Sequence, residues 1–339
     1  MPELMIRHIS DKQIWNGYLK EFSDSNVYQT WNFPKIGQNL KNLEHISFFL
    51  DNNLIGLALV RIRILPLLNG GIASIFRGPV WQRKDHTNNI ESLYLILEAI
   101  KKEYSENRKL LLRIRPFIFR DSVFAKQFKT PVDFKLKGVN KAYRTIILDI
   151  NEDLLYIKDN FRKQWRQVLN RSLKNGLTII AGTSTSLYKT FTDVYYQMHK
   201  RKRFKQYVSV EKFGDVNKEL EDDFKSNIFI ALKDNLPIGS FLGSSIGQTG
   251  IALLGGVNEV GMKYGAAYVL QWEMIKWLKE QKCTRYDLGG IDPVNNYGGY
   301  IWKTGISKNE VRELGILEVC GSNLSKTIVS IGEQMRKLR

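Results

Sequence analysis

Basic side chains alternate with aromatic ones in two segments of this sequence. The first segment is Arg162–Arg166 (RKQWR) and the second is His199–Lys205 (HKRKRFK). Cationic groups bind phosphates and flat rings stack on bases, so this mixture is typical of contacts with nucleic acids or nucleotides. It is equally typical of an ordinary solvated helix face. The pattern alone leaves both interpretations open.

The charge of the whole chain also favours an anionic partner. The 339 residues include 51 Lys and Arg against 34 Asp and Glu, which gives a net charge of +17. Such a surplus attracts RNA, nucleotide-linked sugars, phospholipid headgroups or acidic carrier proteins. The chain is also rich in Asn and Ile, and biased base composition enriches Lys by itself. Charge therefore does not establish nucleic-acid binding.

Several classes of protein are excluded by what the sequence lacks. Hydrophobic residues make up 43% and charged residues 25% of the chain, which is an ordinary globular composition. Cys283 and Cys320 cannot build a disulfide framework, and no Cys/His cluster has zinc spacing. Signal-peptide, membrane-span, P-loop, dinucleotide and Gly-x-Ser-x-Gly patterns are absent. We expect a cytoplasmic protein with no metal and no bound cofactor.

The same order of elements is predicted twice. In the first copy, β-rich runs flank an Asp-Asn-Asn turn and precede a strand, an amphipathic helix and a strand, at 46–50, 54–65, 71–77, 90–104 and 110–114. The second copy has this order at 228–232, 238–246, 250–257, 266–281 and 286–288. Two copies of one unit are the simplest interpretation.

This unit predicts a fold. Antiparallel strands that lead into a helix and a parallel strand are typical of the GNAT N-acyltransferase fold, in which strands separate and expose backbone groups to an acyl donor. Gly255 and Gly256, at a strand end before Asn258, permit close approach of a donor to the backbone. A bulge or tight turn explains these glycines equally well. The predicted fold class is α/β (α+β), with two tandem GNAT-like domains.

Three segments together resemble the FemABX family of peptidoglycan bridge-forming aminoacyltransferases. They are Ile75–Val80 (IFRGPV), the basic helix and strand of Phe161–Ile180, and Tyr286–Ile291 (YDLGGI) followed by Asn295–Gly305 (NNYGGYIWKTG). The third resembles the family's Asp-x-x-Gly and Gly-aromatic-x-aromatic-Lys-x-Gly signature. The resemblance implies a first, acceptor-side domain of residues 1–150 plus about 317–339, and a second, donor-side domain of residues 151–316. The family's helical arm is absent, which indicates the short form.

The resemblance also implies a donor site. Lys303 matches the family's signature lysine, which contacts the donor's tRNA end, and a fixed cation there would stabilise charge on the carbonyl oxygen. Tyr300 and Trp302 would stack on a base or exclude water. Arg162 and Arg166 of the basic helix would bind the RNA. A solvated lysine beside two core aromatics is the alternative.

A proton acceptor is less clear from the sequence. Asp287 precedes Gly289-Gly290 and Asp292 follows, so either carboxylate can take a proton directly or through water. Turn capping explains both residues as well. Proton transfer assisted by the substrate is a further alternative. Of the two carboxylates, Asp287 is the predicted catalytic partner of Lys303.

The acceptor site is implied by the segment Gln29–Lys35 (QTWNFPK). It resembles the family's Gln…Trp…Lys segment, whose lysine holds the phosphorylated sugar–peptide precursor, so Trp31 and Lys35 are predicted acceptor-binding residues. Arg77, at a strand end, would assist as a cationic fork. A solvated Lys35 and a structural Arg77 are the alternatives. Arg115 stands where members commonly have an acidic residue, so it would attract an anionic acceptor.

These observations predict an N-acyltransferase that moves an amino acid from aminoacyl-tRNA to an amine of a peptidoglycan precursor. Peripheral contact of the protein with the inner membrane surface is a further possibility that the sequence leaves open. One alternative is an N-acyltransferase that uses acyl-CoA or an acyl carrier protein and acts on an amino sugar in surface polysaccharide synthesis. Another is a non-catalytic binding module with the same fold.

Overall fold

A computed structural model describes residues 4–33, 42–65, 70–85, 89–202 and 209–337 of the chain. The chain divides into two compact units. Unit 1 contains the described residues up to 143 and from 312 onward, and unit 2 contains residues 144–311. No helix in the described ranges is long and apolar enough to cross a membrane.

The elements follow one another in mixed α/β order. Up to residue 137 they are β1 (Leu4–His8), α1 (Lys12–Lys20), β2 (Leu43–Leu50), β3 (Asn53–Leu65), β4 (Gly70–Phe76), α2 (Ile90–Ile100), β5 (Leu111–Arg115), α3 (Val123–Gln127) and β6 (Lys135–Lys137). Residues Lys101–Asn107 extend α2 as a π-helix.

The remaining elements belong to unit 2 and to the C-terminal segment, which is part of unit 1. They are β7 (Arg144–Asp149), α4 (Leu154–Asp159), α5 (Lys163–Ser172), β8 (Thr178–Gly182), α6 (Thr185–Lys202), α7 (Val210–Glu219), β9 (Asn227–Lys233), β10 (Leu236–Ser244), β11 (Thr249–Val257), α8 (Glu259–Lys263), α9 (Ala266–Glu280), β12 (Arg285–Gly290), α10 (Tyr297–Thr304), β13 (Glu310–Arg312), β14 (Ile316–Cys320) and α11 (Asn323–Lys337).

Each unit is built on one sheet, and the two sheets match position by position. The strand order is β1-β2-β3-β4-β5-β14-β6 in unit 1 and β8-β9-β10-β11-β12-β7-β13 in unit 2. In each sheet a hairpin leads to a third strand, and a helix then returns the chain to a parallel fourth strand. The predicted duplication and the tandem GNAT fold are therefore confirmed.

Both hairpins turn at two residues in the left-handed region. Asp51 and Asn52 have φ values of 47° and 66°, and Asp234 and Asn235 have φ values of 50° and 62°. Asn and Asp tolerate this conformation better than most other residues, which is why such pairs mark tight hairpins. The Asp and Asn residues that predicted the two hairpins therefore form their turns.

The core of each unit lies between its sheet and one amphipathic helix. In unit 1, α2 buries an apolar stripe against the sheet, made by Leu93, Ile96, Leu97 and Ile100. In unit 2, α9 does the same with Val269, Leu270, Met274, Ile275 and Leu278. Helix α6 covers the other face of the second sheet, where Met198 meets the strand at Gly256. Burial of these stripes is the main favourable free-energy contribution to each fold.

The first domain boundary differs from the predicted one by a strand. The second boundary, at residue 312, precedes β14, which the predicted segment 317–339 also assigns to the first domain. Strand β7 belongs to unit 2, because it pairs antiparallel with β12 from Arg285↔Asp149 to Gly290↔Thr145. Strand β14 belongs to unit 1, because it pairs with β5 and β6. Each sheet thus includes one strand that follows the other unit's elements in the sequence: β7 follows α2 and β5 of unit 1, and β14 follows α9 and β12 of unit 2. Long-range pairing of this kind leaves no signal at residue 150.

The two sheets differ at the parallel pair that follows the hairpin. In unit 1, β4 and β5 stay paired from Ile72↔Leu111 to Phe76↔Arg115. In unit 2, β11 and β12 pair at Thr249↔Arg285, Gly250↔Tyr286 and Ile251↔Asp287, and no pairing of these two strands beyond that point is found among the described residues. Strand β11 continues to Val257, so an open fork separates it from β12. We call this opening the unit 2 fork.

Candidate active site

The unit 2 fork begins at an irregular stretch of β12. The pairing of β12 with β7 shifts register between Asp287 and Gly290, and Gly289 has a φ of +82°, a conformation that disfavours any side chain. A Cβ at Gly289 would lie 3.3 Å from the carbonyl oxygen of Ala252 on β11 and 3.4 Å from Nζ of Lys303. The glycine therefore keeps the space at the base of the fork open.

A buried carboxylate holds this irregular stretch in place. Asp287 is 0% exposed, and its Oδ1 accepts hydrogen bonds from the backbone N–H of Gly289 at 2.9 Å and from the hydroxyl of Thr145. The carboxylate is thus enclosed by the strands that it connects. The structure supports the turn-capping alternative for Asp287 and makes it a positioning residue, in place of the predicted catalytic role.

Asp292 has a similar local role. Its Oδ1 accepts from the backbone N–H groups of Val294 and Asn295 at 3.0 and 2.9 Å, and these bonds lower the pKa of the carboxyl. Helix α10 then starts at a cap in which Asn296 accepts from the N–H of Gly299. These caps fix where α10 begins, and hence where its side chains lie.

Lys303 lies in the last turn of α10 and reaches the base of the fork. Its Nζ donates to the carbonyl oxygens of Gly289 at 3.0 Å and Gly290 at 2.8 Å. Burial lowers the pKa of Lys303 to about 8, while the Asp287 carboxylate opposes this shift. A cation with two of its N–H groups fixed by carbonyls still has a third, which can interact with an oxygen that enters the fork.

The two aromatic residues beside Lys303 have different surroundings. Trp302 packs into the core of unit 2, with ring centroids 5.9 Å from Trp165, 6.1 Å from Tyr268 and 6.4 Å from Phe241. This packing favours the alternatives given for Trp302, exclusion of water or a place in the core, over the predicted stacking on a base. Tyr300 is half-buried with the guanidinium of Arg144 5.9 Å above its ring, and its predicted donor contact stays a prediction.

The basic helix α5 adjoins the C-terminal end of α10. The backbone N–H of Arg162 donates to the carbonyl of Gly305 at 2.8 Å, and a Cβ at Gly305 would lie 2.6 Å from the Trp165 ring. The side chain of Arg162 is exposed, whereas Arg166 is half-buried and its guanidinium contacts Asp159. The structure therefore places a cationic helix next to the helix that carries Lys303.

Gly255 and Gly256 lie on β11 beyond the point where β12 separates from it. Both pair regularly with β10, opposite Phe241 and Ser240. A Cβ would lie 2.6 Å from the Phe241 ring at Gly255 and 2.7 Å from Met198 at Gly256. Packing therefore requires these glycines, and neither forms a bulge. Contact with an acyl donor along this open edge stays a prediction.

Arg77 is enclosed within unit 1. It is 1% exposed, its Nε donates to Oε1 of Glu313 at 2.8 Å, and its guanidinium carbon lies 4.4 to 4.9 Å from the ring centres of Tyr143, Tyr28 and Phe117. Glu313 is equally buried. This placement makes Arg77 a structural residue and corrects the predicted role in acceptor binding.

The other predicted acceptor residues are distributed over unit 1. Trp31 is half-buried and stacks on His45 at 3.6 Å between ring centroids, and burial lowers the pKa of His45 to about 4. Arg115 ends β5 with its guanidinium 5.2 Å from the ring centre of Phe76. Lys35 lies outside the described residues. Acceptor binding by Trp31, Lys35 and Arg115 stays a prediction.

Comparison with known proteins agrees with this architecture. The family model described as an acetyltransferase (GNAT) domain matches residues 159–304, which include the unit 2 fork and Lys303. A UDP-N-acetylmuramoylpentapeptide-lysine N(6)-alanyltransferase from Weissella viridescens is 22% identical over 231 residues, 65% of this chain and 67% of the relative. The crystal structure of FemX superposes with a TM-score of 0.79 at 18% identity, over 96% of this chain and 99% of FemX.

The predicted resemblance to the FemABX family is confirmed. A conserved protein of unknown function from Bacteroides thetaiotaomicron VPI-5482 shares the fold at a TM-score of 0.61 and 12% identity, over 93% of this chain and 99% of that protein. Unit 2 contains the residues that match the GNAT domain model, and it is the unit whose parallel strands separate.

Sequence reasoning missed Thr145. Its hydroxyl lies near both Asp287 Oδ1 and the Gly289 carbonyl, although 142 residues separate it from Asp287 along the chain. A threonine in a β-rich run looks like any other strand residue. Only the pairing of β7 with β12 could have indicated its place.

Proposed function

We propose that this chain is an N-acyltransferase that transfers an aminoacyl group from aminoacyl-tRNA to an amine of a peptidoglycan precursor. The observation that carries the proposal is the ammonium of Lys303 at the base of an open fork in a GNAT domain. In acyl transfer to an amine, negative charge develops on the carbonyl oxygen of the donor, and a positioned cation stabilises it.

The choice of donor is supported by charge next to the fork. Helix α5 adjoins α10 and exposes basic side chains at Arg162, Lys163 and Arg171, and Lys174 follows the helix. Such a row suits the phosphate backbone of an RNA better than the few phosphates of a small acyl carrier. The C-terminal end of α6 adds Lys200, Arg201 and Lys202.

The choice of acceptor is supported by the relative from Weissella viridescens, whose name gives the lysine of a UDP-N-acetylmuramoyl pentapeptide as the group that it alanylates. A precursor of this kind carries phosphates and carboxylates, which suit the cationic side chains of a chain with net charge +17. The neutral amine of such a precursor would attack the donor carbonyl while Lys303 holds the carbonyl oxygen. The amide bond forms as the ester bond to the tRNA breaks, and the tRNA hydroxyl leaves with the proton that the amine gives up.

The test compares donors directly. Purified protein is incubated with a mixture of UDP-N-acetylmuramoyl pentapeptide and an amino sugar with a free amine, and with either a tRNA pool charged with labelled amino acids or labelled acetyl-CoA. We expect label to reach the precursor from tRNA, with a mass gain of one or more amino-acid residues. Transfer from acetyl-CoA alone, to an amino sugar, would establish the acyl-CoA alternative. Precursor binding without transfer from either donor would establish a binding module.

The pH dependence of transfer follows from Lys303. With a pKa lowered to about 8, the ammonium is mostly protonated at pH 7 and loses its proton as pH rises through 8. We expect kcat/KM to fall on the alkaline side with a midpoint near pH 8, well below the pKa of an ordinary lysine. A rate profile measured from pH 6 to 10 checks this. A rate that stays constant to pH 10 would contradict it.

A further inference from the structure

The hydroxyl of Thr145 lies between two acceptors at the base of the unit 2 fork. It contacts Oδ1 of Asp287 and lies 2.8 Å from the carbonyl oxygen of Gly289. Thr145 is 0% exposed, so water does not compete for these bonds. The hydroxyl has one proton, so it donates to one of these two oxygens at a time and lies against both.

The carbonyl oxygen of Gly289 also accepts a hydrogen bond from the ammonium of Lys303. Gly289 O accepts from Lys303 Nζ at 3.0 Å, and the N–H of Gly289 donates to Asp287 at 2.9 Å. Thr145, Asp287, Gly289 and Lys303 therefore form one connected network. Because β12 shifts register here, these bonds take the place of a regular ladder.

We propose that Thr145 is a positioning residue for the transfer reaction: its buried hydroxyl fixes the Gly289 carbonyl, and through it the place of the Lys303 ammonium in the fork. The role rests on the proposed function. Thr145 touches no reacting atom and acts through Lys303. Among the described residues, Asp287 is the charged group that faces this ammonium.

The kinetic test compares three variants. Thr145→Val keeps the shape of the side chain and removes the hydroxyl, and we expect kcat to fall about 10- to 100-fold with the KM for acceptor changed less. Thr145→Ser keeps the hydroxyl and should restore most of the rate. Thr192→Val is the matched control, because the Thr192 hydroxyl bonds Tyr188 O within α6. Wild-type kcat in Thr145→Val would overturn the proposal.

A second measurement does not depend on catalysis. In protein labelled with ¹³C-lysine, the Lys303 signal, assigned by its loss in Lys303→Met, should titrate near pH 8 in the wild type. In Thr145→Val we expect the midpoint to move upward, because a loosened turn admits water to the ammonium. An unchanged midpoint, or a lower melting temperature with unchanged midpoint and kcat, would show a purely structural residue and overturn the proposal.

The two measurements separate the proposals. If the wild type transfers no acyl group from any donor while the Lys303 midpoint still moves in Thr145→Val, the proposed function fails and the positioning network stands. If Thr145→Val does not fold, Thr145→Cys replaces it, since a thiol keeps the volume and donates only weakly. The same shifts in kcat and midpoint are then expected.

Discussion

We expect the Lys303→Met variant to transfer acyl groups about 100 to 1,000 times more slowly than the wild type. Met keeps most of the length of the side chain but removes the cation that would stabilise charge on the carbonyl oxygen. The bonds to the carbonyls of Gly289 and Gly290 are lost at the same time. The measurement is kcat at saturating donor and acceptor, with the melting temperature recorded alongside.

The matched control for this variant is Lys308→Met. Lys308 is an exposed lysine five residues further along the chain, and its loss removes one positive charge without touching the fork. We expect this control to retain the wild-type kcat. If Lys303→Met also retained the wild-type kcat, the Lys303 ammonium would have no role in the mechanism. Equal losses in both variants would assign the effect to net charge.

Replacing Arg77 by Met should destabilise unit 1 by about 3 to 5 kcal/mol. The change removes the partner of Glu313 and leaves a carboxylate that is 1% exposed. The free energy of unfolding, measured by urea denaturation, checks this. The double variant Arg77→Met/Glu313→Gln should recover part of the loss, because the second change removes the buried charge.

An exposed ion pair provides the control for Arg77. Lys218 and Asp215 lie 3.5 Å apart on the surface of α7, and breaking such a pair changes stability by less than about 1 kcal/mol. Had Arg77 bound the acceptor, its replacement would raise the KM for acceptor with little effect on unfolding. That result would restore the role predicted from the sequence.

The structure places the predicted centre of the site at the unit 2 fork and gives some of the other predicted residues structural roles. The signature segment Asn295–Gly305 contains Lys303, the residue that the structure places at the fork. Residue type did not distinguish a buried cation from a binding one, so Arg77 was predicted to bind acceptor although Glu313 and three rings enclose it. Asp287 has a carboxylate of the right type, yet the strands around it are closed.

What the sequence determined by itself is local and periodic. Asp-Asn turns set both hairpins, apolar spacing set α2 and α9, and repetition of this order set the duplication. These features depend on residues within a few positions of one another, so short stretches of sequence are enough to predict them.

What only the tertiary structure decided depends on partners far apart in the chain. The parallel pair stays joined at Phe76↔Arg115 in one sheet and separates after Ile251↔Asp287 in the other. Just beyond this point Gly289 is left-handed, and the hydroxyl of Thr145 lies against its carbonyl oxygen. Thr145 lies on β7, a strand that reaches this sheet from the preceding part of the chain. Hydrogen bonds across such distances follow from which strands become neighbours, and short windows of sequence do not contain that information.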